Sequence, residues 1–596
     1  MSNYAIVSTF DKSGIEVLAN QLVKSDFTII STGGTYKKIF QSLSNDDKSK
    51  LIKVSDFTGF PEILNGRVKT LHPKIYGGIL AKANDLNHSE ELDKHDIPNI
   101  ELVVCNLYPF HKTRTAKIEM NDALELIDIG GVTLIRAAAK NWPSVTTLTD
   151  PSDYSKFCNI LNNGMLNNKN VLSSNFRRIM SIKAFNKTSM YDKMISNYLS
   201  GGNVVDRTYK PIINMKYGCN PHQSVSYVAN ISNGLYTTNP ISVLNGTPGY
   251  INMLDAINSW QLVNEAGKIF GKSRTVVASF KHTSPAGVAI GKNASEAFEI
   301  ARSCDPMSSF GDFIAINGLV DVETAKMIKR EVSDGIIAPS YSTSAINILS
   351  KKKSGKYLIL QVDPEYEPFD GIENPLEFRE MWGISLVQSS NTRFVTHEVF
   401  VNSENIPTNN KTISNSVQDD LLLANITLKY AQSNNVVMAK DGQIIGVAAG
   451  QQSRVDAVKL AGRKATMWWL RKHPKTLALK DLFVEGVKRQ DRVNAGIRYV
   501  EGDFTEIEYE VWKKLFTSVP DPLTQQEKDK WMKQLKNVAM ASDAFFPFRD
   551  NIDHASKFGV GHVIQPGGSV ADPSVIEACN QYDMTMTMTN LRMFTH

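Results

Sequence analysis

Two short apolar runs on either side of one amphipathic stretch set the strongest constraint on this chain. Residues 4–9, YAIVST, read as a strand, and residues 13–25, SGIEVLANQLVKS, repeat apolar side chains at helical spacing. Residues 27–32, FTIIST, read as a second strand. The alternation resumes with a strand-like IELVVCNLY at 100–108 and a helical GVTLIRAAAK at 131–140. Strands spaced by helices predict an α/β fold with a mostly parallel sheet covered on both faces, its ligands at the carboxyl ends of the strands.

At 596 residues the chain is too long for one ordinary core, so two to four domains are expected. The loose, turn-rich GGNVVDRTYKP at 201–211 reads as a linker between a domain at 1–200 and a second region at 212–596. Within that region, residues 311–328 and 441–462 share an order of strand, turn and helix, which predicts a duplicated α/β unit. Segments 410–440 and 536–596 are expected to help complete two sheets.

Composition excludes several classes. Apolar residues at 42% and charged residues at 21% are those of a globular protein. No run approaches the roughly 18 to 20 apolar residues of a spanning helix, so no membrane partner is expected. The opening MSNYAIVSTFDKSG lacks a basic flank leading into an apolar run, so secretion is not expected. A net charge of +5 without runs of like charge does not suggest nucleic acid, though local basic sites for a phosphorylated small molecule remain open. The five cysteines (Cys105, Cys158, Cys219, Cys304, Cys579) are scattered without a CxxC pair, which fits reduced thiols in the cytosol. The 11 histidines form no HExxH and no HxH, so zinc is not expected.

Polar motifs gather where the strands end. In STGGT, residues Ser31 to Thr35, glycines and hydroxyls lie between a strand and a helix, the form of a phosphate cradle and equally of a capped helix after a tight turn. Lys12, after the first strand, lies at the same end of the sheet. GRVKTLHP (66–73) concentrates Arg67, Lys69, Thr70 and His72 in a loop bounded by glycine and proline, which suits either an anion or a solvated loop. CNLYPF (105–110) ends a strand in Asn106 and Tyr108, and DIGGVTLIRAAAK (128–140) brings Asp128 to a helix start with Lys140 three turns on. All of these are expected at one end of the sheet.

SFKHTSPAG (279–287) sets Lys281 beside His282. Neighbours on a strand point to opposite faces, so two adjacent side chains serve one site only where the backbone turns. Pro285 and Gly287 are expected to supply that turn. The same spacing also describes a solvated strand end.

The motifs of the first 200 residues, with KAFNKTSMYD at 183–192, resemble in sequence and order the inosine-monophosphate (IMP) cyclohydrolase half of a bifunctional purine-biosynthesis family. The other half of that family is AICAR transformylase, and here the resemblance runs through MKYGCNPHQ (215–223), LNGTPGYINMLDA (244–256), SFKHTSPAG and DPMSSFGDF (305–313). It continues through REVSDGIIAP (330–339), QSNNVV (432–437), AGQQSR (449–454), SDAFFPFRD (542–550) and NLRMF (590–594).

The resemblance implies a methylglyoxal-synthase-like first domain that closes the formylated intermediate FAICAR to IMP with loss of water. Ser8, Lys12, Thr32, Gly33, Gly34 and Thr35 would hold the nucleotide, together with Arg67, Thr70 and Asn106. Lys69, Tyr108, Asp128 and Lys140 would stand near the reacting atoms. The second half would be a duplicated cytidine-deaminase-like α/β/α domain, used without zinc, that transfers a formyl group from 10-formyltetrahydrofolate to AICAR. His282 would take the proton and Lys281 would donate to the oxyanion.

For that half the resemblance implies substrate contacts at Lys216, Tyr217, His222, Asn252 and Gly311, and at Asp334, Asn434, Arg592 and Phe594. Met307, Phe310, Arg454, Phe545, Phe546, Pro547 and Asp550 would line the folate pocket. A monovalent cation such as potassium would sit near Ser433 and Asp543. A homodimer would form the transformylase sites at its interface.

Two positions depart from the family pattern. Phe10 stands where a serine is usual, which removes a phosphate donor, and Lys216 stands where arginine is usual, which removes a bidentate fork. Both would support a rival reading, a nucleotide-binding protein that has lost catalysis. A zinc deaminase of related fold is the other rival, and the missing ligand motifs argue against it.

Overall fold

The structure, a computed structural model, describes residues 3–110, 119–162, 171–201, 208–223, 225–232, 240–271, 273–367 and 375–596. The chain folds as two compact units, one from the amino terminus to Tyr209 and one from Lys210 to His596, apart from a short return of the chain at Ile231 to the first. Residues 202–207 of the expected linker lie outside the described residues.

In the first unit the strands are β1 (Asn3–Thr9), β2 (Phe27–Ser31), β3 (Leu51–Lys53), β4 (Ile100–Asn106) and β5 (Thr146–Leu148). They form one parallel sheet in the order β3-β2-β1-β4-β5. Alternate residues of β1 enter different cores: Ala5 and Val7 pack with Leu18 and Phe157, and Ile6 with Ile75 and Leu134. Burial on both faces is why β1 and β4 read as near-continuous apolar runs. The parallel order also brings the ends of β1, β2 and β4 to one edge, each followed by a polar loop.

In the second unit β6 (Thr208–Asn214) and β7 (Tyr227–Ser232) pair as a ribbon, and β8 (Ile241–Asn245) edges an 11-stranded sheet. Next come β9 (Thr275–Lys281), β10 (Ser284–Gly291), β11 (Asp312–Ile316), the short β12 (Leu319–Val320), β13 (Ser333–Ala338), β14 (Ser340–Tyr341) and β15 (Leu358–Val362). The hairpin β16 (Leu376–Met381) and β17 (Ile384–Ser389) stands apart from the large sheet. The chain then adds β18 (Val436–Lys440), β19 (Gln443–Ala448), β20 (Val538–Ser542), β21 (Val560–Gln565) and β22 (Thr585–Met588).

In the sheet order, β22-β21-β20-β18-β19-β10-β9-β11-β13-β15-β8, five strands on one side of the β19–β10 junction mirror five on the other, and β8 is added at one edge. Each half runs helix, antiparallel hairpin, helix and then three parallel strands joined by helices. The helix Tyr250–Phe270 with β9–β10 corresponds to Asn415–Leu428 with β18–β19. The hairpins match in detail, since a Cβ at Gly287 would run into the carbonyl oxygen of Ala301 and one at Gly446 into that of Ala461. Glycine in each second hairpin strand lets the following helix lie directly on the sheet.

The duplication differs from the sequence expectation in register. Residues 441–462 correspond to β10 and the helix Ala294–Arg302, whereas 311–328 correspond to β20 and the helix Asp550–Ala555. A coarse strand, turn and helix pattern fits a hairpin strand and a parallel crossover equally well. One continuous sheet forms instead of two, and both 410–440 and 536–596 serve its second half. No helix among the described residues is long and apolar enough to cross a membrane.

Candidate active sites

At the carboxyl edge of the first sheet, two lysines reach one glycine turn. A Cβ at Gly34 would lie 3.4 Å from Lys12 Cε, and one at Gly33 would lie 3.9 Å from Lys69 Nζ. These glycines open the helix Gly33–Ser42, whose free amides favour an anion. Ser8 Oγ and Thr32 Oγ1 lie 3.0 Å apart beside them. Thr35 is used differently: its hydroxyl donates to the Thr9 carbonyl at 2.9 Å and ties the turn to β1.

Thr70 is buried and faces the next polar turn, where a Cβ at Gly130 would lie 2.8 Å from Thr70 Oγ1. Asp128 accepts the Gly131 amide at 2.7 Å, and its own amide donates to Tyr191 Oη at 2.8 Å. Burial pushes the Asp128 carboxyl above the usual carboxylate range, against the pull of the Gly131 and Tyr108 amides. Tyr108 is exposed and packs edge-on to Phe10, with ring centroids 5.5 Å apart. The departure at Phe10 therefore adds an aromatic face to this pocket while it removes a hydroxyl.

Other expected groups have different work. The Asn106 carboxamide is consumed by the loop after β1, accepting from the Phe10 and Asp11 amides at 2.7 and 2.9 Å and donating to Asp11 O at 2.8 Å. His72 caps the helix Pro73–Leu80, its Nδ1 accepting the Lys74 amide at 3.2 Å. Arg67 pairs with Glu125, and Lys69 lies 3.4 Å from Glu62.

Lys140 corrects the expectation that every polar group meets at one edge. The helix Gly130–Lys140 starts at the carboxyl edge and leads back to the beginning of β5, so Lys140 ends at the amino edge. Its 11 residues span about 16 Å. The sequence spacing of three turns is itself the separation.

In the second unit the lysine–histidine pair lies on a hairpin. β9 pairs antiparallel with β10 and Lys281 faces Ser284 across the ladder, which leaves His282 and Thr283 as a two-residue turn. Both have positive φ, +53° and +59°. Glycine, asparagine and aspartate favour such a turn, and a β-branched residue there is an outlier costing about 1–2 kcal/mol. Pro285 and Gly287, expected to turn the chain, lie instead in β10 at an irregularity of register. A tight reversal lets the side chains of Lys281 and His282 escape the alternation of a flat strand.

Lys281 Nζ donates to the Phe310 carbonyl at 2.5 Å. Gly311, φ +75°, follows, and a Cβ there would lie 3.9 Å from Asp334 Oδ1. Asp334 pairs with Lys353. Asp255, on the helix Tyr250–Phe270, accepts the Thr283 amide at 2.7 Å. On the same helix the Asn252 side chain accepts the Gly249 amide at 3.3 Å and steadies the first turn. Lys216, Tyr217, His222 and Met307 are exposed.

A second cluster gathers beside the start of β18. Arg454 donates to Asn434 Oδ1 at 2.7 Å and pairs with the buried carboxylate of Asp543. The carboxyl-terminal segment is fastened here: the Ser433 amide donates to Thr595 O at 3.0 Å and the Met593 amide to Asp543 O at 2.9 Å. The Arg592 guanidinium lies 4.6 Å from the Phe594 ring centroid, and His596 meets Phe594 edge-on at 5.4 Å. Of the expected aromatic pair, Phe545 is exposed, whereas Phe546 is fully buried in the core. Adjacent residues leaving a strand face opposite ways, so only Phe545 is available to a ligand. Pro547, in the loop that follows, and Asp550, which opens the helix Asp550–Ala555, are half-buried.

Comparison with known proteins brings the two units under one heading. A family model described as AICARFT/IMPCHase bienzyme matches residues 138–464, and an MGS-like domain matches residues 14–133. The bifunctional purine biosynthesis protein PurH of Clostridium kluyveri is 34% identical over 600 residues, covering 100% of this chain and 100% of that protein. The chain belongs to the AICARFT/IMPCHase bienzyme family. A solved structure titled "Crystal structure of ForH" is 28% identical and covers 34% of this chain and 100% of its own, with a TM-score of 0.29.

Within the bienzyme framework two features lay beyond the sequence reading. Asp255 sits in the quoted motif LNGTPGYINMLDA without an assigned role, and only the hairpin contact singles it out. His596 lies two residues past the last motif and is brought in by the fastening of the chain end. The Asp543 carboxylate, beside which a monovalent cation is expected, is engaged by side chains of the chain itself. One oxygen holds the Arg454 guanidinium, and the other accepts from the Ser433 hydroxyl at 2.5 Å and the Asn435 side chain at 3.1 Å.

Proposed function

We propose that this chain catalyses two consecutive reactions at separate sites: formyl transfer from 10-formyltetrahydrofolate to the exocyclic amine of AICAR, then dehydrative ring closure of FAICAR to IMP. The observation that carries the reading is the strained His282–Thr283 turn, which puts the histidine at the hairpin reversal directly after Lys281. In the first reaction the amine nitrogen of AICAR attacks the formyl carbon. His282 takes the amine proton, Lys281 turns from the Phe310 carbonyl to the developing oxyanion, and the bond to the folate nitrogen breaks with return of a proton. Phe310, Phe545 and Pro547 have partly open rings suited to the flat folate, and Met307 and Asp550 are the other accessible residues assigned to its pocket. Arg592, Asn434 and Phe594 receive the nucleotide.

In the second reaction the carboxamide nitrogen attacks the formyl carbon and water leaves. Lys12 and the Gly33–Gly34 amides hold phosphate, while Lys69, Thr70 and Asp128 surround the reacting atoms. Arg67 reaches phosphate only by leaving Glu125, so Glu125→Gln is expected to lower the KM for FAICAR about two- to fivefold with little change in kcat. Initial rates of IMP formation check this, and the gain should shrink as salt is raised.

The protein acts as a homodimer in the cytosol. Among the described residues no hydrogen bond, ion pair or ring contact joins the His282 cluster to the Asn434 cluster, which suits a site completed by a second copy. The hairpin β16–β17 exposes Met381, Ile384, Leu386 and a Trp382 that is 97% accessible, an apolar surface fit for burial against such a copy. The five unpaired thiols fit a reducing compartment.

The test is to incubate the purified chain with AICAR and 10-formyltetrahydrofolate and follow tetrahydrofolate release and IMP formation separately. Both are expected. No tetrahydrofolate release would exclude the transferase, and FAICAR accumulating without IMP would exclude the cyclohydrolase.

A further inference from the structure

The two halves of the large sheet contain the same device with different residues. In the second half, Asp420 on the helix Asn415–Leu428 accepts the Asp441 and Gly442 amides at 2.9 and 2.6 Å and holds the β18–β19 turn. That turn is Asp-Gly, with φ +54° and +74°, which are residues suited to left-handed backbone. In the first half, Asp255 on the corresponding helix holds the β9–β10 turn through the Thr283 amide at 2.7 Å. Here the turn is His-Thr, and its second residue, the β-branched Thr283, does not favour that conformation by itself. An anchor that is merely helpful in one half is thus required in the other, where the turn carries the lysine–histidine pair.

We propose that Asp255 is a positioning residue for formyl transfer: its carboxylate locks the His282–Thr283 turn left-handed and so aims His282 and Lys281 at the reacting atoms. The proposal rests on the transferase reading of this site. Asp255 is 5% exposed, and the His282 side chain and Asp334 are the charged neighbours that act on it electrostatically. Burial pushes its carboxyl up, while the Thr283 amide and His282 act in the opposite direction.

The experiment compares D255A, D255N and D420A in the full-length protein, with AICAR and 10-formyltetrahydrofolate as substrates. D255A is expected to lower kcat for tetrahydrofolate release about 30-fold or more, with both KM values within about threefold and ring closure of supplied FAICAR unchanged. D255N keeps an oxygen for the Thr283 amide and should recover about tenfold of the loss. D420A should lower the melting temperature while kcat per folded protein stays near wild type. Should D255A alone be insoluble, D255A/T283G serves in its place, since glycine adopts the turn unaided and should restore folding and part of kcat.

Hydrogen exchange at the Thr283 amide gives a readout independent of turnover and should accelerate in D255A. A D255A enzyme with wild-type kcat, a D255N as impaired as D255A, or a parallel fall in kcat, affinity and ring closure overturns the proposal. A wild-type protein that releases no tetrahydrofolate strikes the transferase reading instead, and the exchange experiment then decides whether Asp255 anchors the turn.

Discussion

Replacing His282 with alanine is expected to lower formyl transfer by about three orders of magnitude and leave ring closure of supplied FAICAR within about twofold of wild type. The amine of AICAR is a weak nucleophile because its lone pair is delocalised into the imidazole ring, so attack depends on a base held at the amine proton. Positive φ at position 282 complicates the alanine variant, because any change there also touches the turn. His282→Asn is the sharper companion, since asparagine tolerates left-handed backbone yet cannot accept the proton at neutral pH. If both variants lose transfer with KM values retained, the lost element is the base. Transfer surviving in the asparagine variant would move the proton to another acceptor, and loss of ring closure in either would contradict separate sites.

The second large effect falls on the other reaction. Asp128→Ala is expected to slow ring closure about 100-fold or more and spare formyl transfer. Beyond the role proposed for it in ring closure, its carboxylate receives the Gly131 amide at 2.7 Å, so alanine unmoors the glycine turn as well. Asp128→Asn separates the two roles, because it keeps an acceptor for that amide and loses the charge. Burial raises the carboxyl above the ordinary range, so a rate that requires ionised Asp128 rises with pH through that raised value. IMP formation from FAICAR measured from about pH 4 to pH 7 should show this limb in the wild type and lack it in Asp128→Asn. An unchanged profile in the variant would remove Asp128 from the chemistry.

What could be read in advance follows from what kind of information each residue carries. The position of Lys12, Gly33, Gly34 and Thr70 follows from a rule of topology: parallel strands end at one edge, and the loops after them gather there. Lys140 failed by the same geometry, because a helix of 11 residues carries its last side chain to the opposite edge. Phe545 and Phe546 look alike in sequence, and only the direction in which each leaves β20 makes one a surface and the other a core residue. Arg67 and Arg454 are cations in either reading, yet each has a carboxylate partner far away in the chain.

The sequence by itself determined the α/β class, the parallel first sheet and the family, because periodicity and contiguous motifs are local properties that survive without coordinates. It also named Lys281 and His282. Only the tertiary structure decided how they are presented. It moved the turn from Pro285 and Gly287 to His282 and Thr283, paired the hairpin with its counterpart at Asp441–Gly442, and brought Asp255 from 28 positions away onto the Thr283 amide. The physical reason is that left-handed backbone at a histidine and a threonine is unfavourable locally. No local pattern announces it, and it is the fold that brings a distant buried carboxylate onto the Thr283 amide.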